Sequence, residues 1–393
     1  MAPITGAASV AATREPRLRI MVLGLRGVVD VQGGIETHAR RLYPLLARLG
    51  CDIEIVQRGA YYPRAARRRE WRGLKLTYLW SPRTRIIETA VHTLLGVLYA
   101  GFTRPDVLHL HAVGPGLLAP LARLLGLRVV ITHHGADYER EKWGVFAKAL
   151  LRTGERLGIG FAHRPIVVSP VLKHAVESRY GIGATLISNG APLAAPTATR
   201  GSLDRFGLER CRYVLCVARL DPGKRQHDLI AAFEAANLPG WKLAIVGDFQ
   251  PGDPYCETLA ASAAQNPSIV LTGYQSGIAL HELYSHAGLF VLASAAEGHP
   301  IALLEAAVYE VPLLATAIPA NLALPLSRDC FFPVGDTAAL ASQLKTHSHR
   351  SAASRAAGRE LHAAVRARYS WRKAAELTSS VYRFVARGGW QHG

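Results

Sequence analysis

The chain has 393 residues, 49% of them hydrophobic, and carries 46 Lys+Arg against 29 Asp+Glu for a formal net charge of +17. That length points to two domains, and the apolar fraction is enough to fill two cores. The charge calls for an anionic partner: a phosphate ligand, a nucleic acid or an acidic membrane surface. The five cysteines, Cys51, Cys211, Cys216, Cys256 and Cys330, form no Cys-x-x-Cys and no metal-ligand spacing, which fits a reducing cytoplasm. Arg14, Arg17 and Arg19 precede no apolar signal core, so residues 1–18 read as a loose tail. The most apolar stretch, Ile86 to Phe102, is interrupted by Glu88 and His92 and does not read as a spanning helix.

Arg19 to Leu25 reads as a first, central strand. A loop ending in Gly33-Gly34 follows, then a helix from Ile35 to Leu49 with Leu42, Leu45, Leu46 and Leu49 on one face. A glycine pair between first strand and first helix is a place where phosphate is cradled, but it is not the spaced glycine fingerprint of a dinucleotide fold. Asp52 to Gln57 alternates as a second strand. Arg64, Arg67, Arg68, Arg69 and Arg72 then fall within nine residues, beside Tyr61, Tyr62 and Trp71. Such a cluster either grips phospholipid headgroups or is a solvated basic loop.

Val107 to His111 and Arg128 to Thr132 read as strands, with a helical stretch from Leu117 to Leu125 between them. Ligands of open α/β sheets bind beyond the carboxyl ends of strands, which is where His111 and His134 fall. Tyr138 to Leu157 reads as a surface helix, and Pro165 to Ser169 and Thr185 to Ser188 as strands flanking a helix from Pro170 to Tyr180. After Asn189-Gly190 the composition shifts to Ala, Pro and Thr, which marks a linker over 191–205.

Tyr213 to Val217 opens the second half and runs into Arg219-Leu220-Asp221-Pro222-Gly223-Lys224 before a helix from His227 to Ala236. Two cations at a helix start are unfavourable unless an anion neutralises them. Leu243 to Val246 and Ser268 to Gly273 are further strands. The apolar run Ala287 to Ala293 leads into Glu297-Gly298-His299-Pro300 and a helix carrying Glu305. Pro300 suits the first helical turn. A helix N-terminus here is a natural phosphate seat, with carboxylates on either side for sugar hydroxyls. Leu313 to Thr316 is a last strand, and helical sequence continues through Trp371.

Glu297 and Glu305 in Glu-x7-Glu spacing, the Ala218-Arg219-Leu220…Lys224 turn, Gly33-Gly34, Asn189-Gly190 and Gly247-Asp248 stand in an order that resembles retaining GT-B glycosyltransferases of family 4. Gly24-Leu25-Arg26-Gly27, Gly33-Gly34-Ile35-Glu36-Thr37 and Glu139-Arg140-Glu141-Lys142-Trp143 resemble the rhamnosyltransferase-like bacterial polysaccharide enzymes within it. The resemblance implies two Rossmann-like α/β domains facing each other across a cleft. The implied divisions are an acceptor-side domain over 19–190, a nucleotide-sugar domain over 206–370 and a C-terminal helix over 371–393 returning to the first domain. It implies that Arg219 and Lys224 bind the donor diphosphate beside Gly33 and Gly34, that Glu305 binds the ribose, and that Glu297 and His134 contact the transferred sugar. Many relatives differ at His134 and His299, so the donor sugar stays open.

The implied reaction moves a hexosyl group from a nucleotide-diphosphate sugar to a saccharide acceptor, lipid-linked, in cell-surface polysaccharide synthesis. No Asp-x-Asp motif occurs, so no metal cofactor is expected. Arg67, Arg68, Arg69 and Trp71 are the expected acceptor or lipid side, on a cytoplasmic enzyme held peripherally at an anionic membrane. A sugar-nucleotide epimerase and a basic nucleic-acid-binding protein are the competing readings. The arginines do not interleave with a nucleic-acid motif, which favours neither DNA nor RNA as the partner.

Overall fold

The computed structural model describes residues 17–390 apart from 83, 140–142 and 350. Residues 1–16 of the expected tail and Arg140, Glu141 and Lys142 of the 139–143 motif lie outside the described residues.

The first half builds an eight-stranded sheet. Its elements in order are β1 (Leu18–Leu23), α1 (Gly34–Arg48), β2 (Cys51–Arg58), β3 (Glu70–Trp71), β4 (Leu74–Leu79), α2 (Arg85–Thr103), β5 (Val107–His111), α3 (Ala119–Leu124), β6 (Val129–His133), α4 (Val145–Phe161), β7 (Arg164–Val167), α5 (Pro170–Tyr180) and β8 (Thr185–Leu186). The strand order is β3-β4-β2-β1-β5-β6-β7-β8, parallel except where β3 pairs antiparallel with β4. Successive residues of β1 serve opposite cores. Ile20 and Val22 pack with α1, whereas Met21 and Leu23 pack with Val97 of α2 and Ala119 of α3. A sheet buried on both faces reads as a continuous apolar run, and I-M-V-L of β1 does so.

The second half continues with α6 (Gly201–Phe206), β9 (Tyr213–Val217), α7 (Gln226–Ala236), β10 (Lys242–Val246), α8 (Pro254–Gln265), β11 (Ile269–Gly273), α9 (Gly277–His286), β12 (Leu289–Leu292), α10 (Ile301–Val308), β13 (Leu313–Thr316), α11 (Pro319–Leu322), β14 (Phe331–Phe332), α12 (Thr337–His349), α13 (Ser351–Arg368) and α14 (Trp371–Ala386). Its six parallel strands run β11-β10-β9-β12-β13-β14. Tyr213 and Leu215 of β9 face α9 and α10, while Val214 and Cys216 face α7 and α12. This is the period-two alternation of a strand covered on both sides.

The chain crosses between the halves twice, and the crossings touch. Ala191 on the outward path bridges Ser370 on the return. Beyond it α14 lies against α1, with Trp371, Ala374, Tyr382 and Val385 buried in the same core as Ile20 and Leu42. Ser370 caps α14 by accepting from the Lys373 N–H.

Several expected boundaries move. Part of the basic stretch is not a loop: Glu70–Trp71 and Leu74–Leu79 form the β3–β4 hairpin, in which Lys75 pairs with Glu54 at 3.1 Å. The surface helix begins at Val145, not Tyr138. The 191–205 linker ends in α6 from Gly201, and Pro300 caps α10 rather than entering its first turn.

Candidate functional site: a cleft between two sheets

The carboxyl ends of β1, β5 and β6 face those of β9, β10 and β12 across a cleft of about 1520 Å3. His134, Gly33, Gly34, Arg219, Lys224, Glu297 and Glu305 all line it. Trp71 and Arg72 line it as well. Arg67, Arg68 and Arg69 are exposed and absent from its lining.

Each group is placed by local structure. Gly24 ends β1 with φ +99°, and a Cβ there would stand 2.3 Å from the His111 carbonyl oxygen. This position needs glycine, because L side chains avoid positive φ and the β5 backbone occupies the space. The loop then turns to Gly33, where a Cβ would meet the Arg26–Glu36 ion pair. Arg26 Nε donates to Glu36 Oε1 at 3.1 Å, and Arg26 Nη2 donates to the Gln32 carbonyl at 2.5 Å. Burial alone would raise the Glu36 pKa. Arg26, by charge and hydrogen bond, outweighs it and holds the carboxyl below its usual range, and Arg219 across the cleft adds to this.

On the opposite wall, Asp221 accepts from the Gly223 N–H at 3.1 Å and so closes the single 3-10 turn Pro222–Lys224. The Gly223 carbonyl accepts from Ala295 N–H at 2.9 Å, which ties this turn to the loop before α10. Lys224 Nζ consequently reaches Glu297 Oε1 at 2.5 Å. Glu305, one turn into α10, accepts from the Tyr284 hydroxyl at 3.3 Å and lies 3.9 Å from Arg41 of α1. Burial raises the Glu305 pKa, and Arg41, Tyr284 and Arg40 only partly oppose it.

The walls touch at several points. Arg40 Nη1 donates to the Tyr274 hydroxyl at 3.0 Å, and Asp248 N–H donates to Gln32 Oε1 at 2.9 Å. Asn189 Nδ2 donates to the His299 carbonyl at 3.2 Å. The backbone of Gly298 is pressed against His134-Gly135, leaving no room for a Cβ.

His134 is held from behind. His133 donates from Nε2 to Glu155 at 2.9 Å and accepts at Nδ1 from the Gly135 N–H at 3.1 Å, which fixes the turn. His134 Nε2 pairs with His111 Nδ1 at 2.8 Å. His111 in turn contacts the Tyr43 hydroxyl, which reaches His109 Nδ1 at 3.0 Å. Burial first, then the neighbouring imidazoles, hold His111 and His134 far below the usual histidine range, so both rings are neutral.

Two family models match successive stretches of this chain: Glycosyltransferase Family 4 over residues 32–195, and Glycosyl transferases group 1 over residues 206–346. The chain belongs to the group 1, family 4 glycosyltransferases. The chain is 30% identical over 218 residues to the GDP-mannose-dependent alpha-(1-6)-phosphatidylinositol monomannoside mannosyltransferase of Mycolicibacterium smegmatis, a match covering 51% of this chain and 55% of that protein. It is 24% identical over 225 residues to the amylovoran biosynthesis glycosyltransferase AmsD of Erwinia amylovora, covering 56% of this chain and 61% of that one. The matches thus span little more than half the length of these relatives. Among solved structures, the sucrose-phosphate synthase of Thermosynechococcus elongatus superposes with TM-score 0.82 at 20% identity, over 95% of this chain and 100% of that one. Anabaena HepE in complex with UDP and glucose superposes with TM-score 0.76 at 17% identity, over 93% and 100%. At these identities the likeness shows the fold, which is GT-B.

Arg40 and Arg41 line the cleft and His38 lies buried, and none of the three was expected there from the sequence. Arg40 and Arg41 follow Gly33, Glu36 and Thr37 at helical spacing on the face away from Leu42, so a charged stripe on α1 was a usable signal. Nothing local marked His38, whose partner Asn189 lies 151 positions on. Tyr62, expected beside a lipid surface, is instead buried and donates to the Val29 carbonyl at 2.7 Å. All five cysteines are free thiols.

Proposed function

We propose that this glycosyltransferase transfers a hexosyl group, with retention, from a nucleotide-diphosphate sugar to a lipid-linked saccharide acceptor in polysaccharide assembly. The observation that carries the reading is the convergence of Lys224, Arg219, Glu297, Glu305 and His134 on one cleft. A leaving diphosphate needs its charge neutralised, and preorganised cations supply this at little reorganisation cost. Lys224 and Arg219 are the groups for it, on a turn anchored by Asp221. Glu297 lies between Lys224 and the His134 wall, where it accepts from sugar hydroxyls while Lys224 meets the phosphate. Glu305 accepts from the ribose hydroxyls, and such bonds offset the cost of burying its charge. His134, neutral and held by His111, contacts the transferred sugar. Gly33 and Gly34 let the α1 end approach the phosphates. No metal is required in this scheme, because the cations are side chains.

The donor class rests on the cleft and on the relatives' names, one of which is GDP-mannose-dependent. That relative's name also specifies a phosphatidylinositol-based acceptor, and AmsD is named for amylovoran synthesis. A peripheral position at the cytoplasmic face is supported by the exposed Arg68 and Arg69. The exposed row Leu94, Leu98 and Phe102 at i, i+4 spacing on α2 supports it separately. Among the described residues, no helix is long and apolar enough to cross a membrane.

The test is a thermal-shift panel of UDP-, GDP- and dTDP-sugars, followed by transfer to a lipid-extract acceptor with the donor that binds. A ligand that binds only the folded state raises its apparent stability. One nucleotide class should raise the melting temperature and yield product only with acceptor present. A donor sugar altered without acceptor would instead favour an epimerase.

A further inference from the structure

Behind the sugar end of the cleft, three imidazoles from separate elements converge. His38 comes from α1, His111 from the end of β5 and His134 from the turn after β6. One ring nitrogen of each lies within 4.8 Å of the other two. The hydrogen bonds fix which nitrogens face inward. Asn189 spends its amide N–H on the His299 carbonyl, so its Oδ1 accepts, and His38 Nδ1, 2.7 Å away, carries the proton. His38 Nε2 is therefore a lone pair. It is buried, on a residue 3% exposed, and has no hydrogen-bond partner. A buried acceptor left in this state costs free energy unless a donor or a cation meets it. His111 has its Nε2 committed to the Tyr43 hydroxyl, which turns its Nδ1 towards His134 Nε2 at 2.8 Å.

We propose that His38, His111 and His134 form a three-imidazole binding site for a divalent transition metal ion such as Zn2+ or Co2+, with its fourth position open to the cleft. Three protein nitrogens and an open position suit these ions, which bind imidazole at about 2.0–2.1 Å in tetrahedral geometry. The outer shell is of the kind that orients ligating histidines: Asn189 holds the His38 tautomer and Tyr43 holds the His111 ring. Ligand histidines must be neutral, and burial lowers the His38 pKa to about 4 and those of His111 and His134 well below 6.5. The ion takes the place of the proton in the His111–His134 hydrogen bond, and the neutral ring that carries this proton shifts it to its own other nitrogen, so binding at neutral pH is nearly proton-neutral. His134 is also the residue assigned to the sugar, so a bound ion competes with the donor. That consequence rests on the proposed function, whereas the binding itself does not.

The experiment titrates Co2+ into the full chain without donor and follows ligand-field absorption in the visible range, with Zn2+ as competitor. One Co2+ per chain is expected, with the intense bands of a four-coordinate ion, displaced by Zn2+. His38→Gln and His134→Gln should each weaken binding roughly tenfold or more. His174→Gln, on an exposed position of α5, should leave it unchanged. Melting curves establish that each variant is folded. His134 is less buried than His38, so its variant carries the test if His38→Gln fails to fold. Absence of four-coordinate bands, or affinity unchanged in a folded His134→Gln variant, would overturn the proposal. Because no donor is present, failure here is distinct from failure of the transferase reading.

Discussion

A Cβ on Gly298 would stand 1.8 Å from the carbonyl oxygen of His134, so the two walls of the cleft meet backbone to backbone. The loop before α10 and the turn after β6 are held in contact because residue 298 has no side chain. Glu297 and His134, from different sheets, are neighbours through this contact.

Gly298→Ala therefore separates the walls. Forcing an extra methyl into a packed contact costs about 1–3 kcal/mol. We expect a melting temperature lowered by a few degrees and kcat/KM for the donor reduced roughly tenfold or more, since small misplacements of reacting groups are costly. Wild-type kinetics in this variant would show that the contact does not position the donor.

Activity should survive excess EDTA if, as proposed, Lys224 and Arg219 meet the diphosphate. Added Zn2+ should lower donor affinity through His134. Loss of activity on chelation, restored by Mg2+ or Mn2+, would contradict the metal-free scheme.

Much of this arrangement was legible in the sequence. Strands such as Val107 to His111 stand out as short apolar runs, and the order of Gly33-Gly34, Arg219, Lys224, Glu297 and Glu305 located one wall after the other. What was not legible depends on contacts between distant segments. Arg40 reaches Tyr274, 234 positions away, and His38 becomes a buried acceptor only once Asn189 arrives. The β3–β4 hairpin was hidden because its short alternation, Leu74–Leu79, follows a run of arginines that reads as solvated loop.

Acid should destabilise the fold before its carboxylates titrate. Burial lowers the pKa of His92 to about 4, with Arg58 adding to it, and of His299 to about 4, with His38 adding to it. A histidine with a depressed folded-state pKa contributes stability that is present above its unfolded value near 6.5 and lost as pH falls towards 4. Each such group steepens the loss by up to about 1.4 kcal/mol per pH unit. Urea denaturation at pH 7, 6 and 5 should show the decline, with a shallower slope in His92→Gln. A flat profile would mean these rings are protonated or solvated in the folded protein.

Membrane attachment should depend on Arg68 and Arg69. Arg67 is otherwise occupied, donating to the Tyr62 and Gly59 carbonyls at 3.3 and 3.2 Å. Each basic residue near an anionic leaflet is worth about 1 kcal/mol. Co-sedimentation with anionic vesicles should exceed that with neutral ones, weaken at high salt, and fall about tenfold or more in the Arg68→Ser, Arg69→Ser double variant. Binding that is absent, or unaltered in this variant, would remove these arginines from the membrane account.

In the proposed reaction Lys224 neutralises the leaving diphosphate of a sugar nucleotide in this cleft. The direct measurement is single-turnover transfer by wild type and Lys224→Ala at saturating donor, with folding of the variant confirmed by its melting curve. Loss of a key electrostatic donor should slow the chemical step about a hundredfold or more. A rate within twofold of wild type would contradict the assignment.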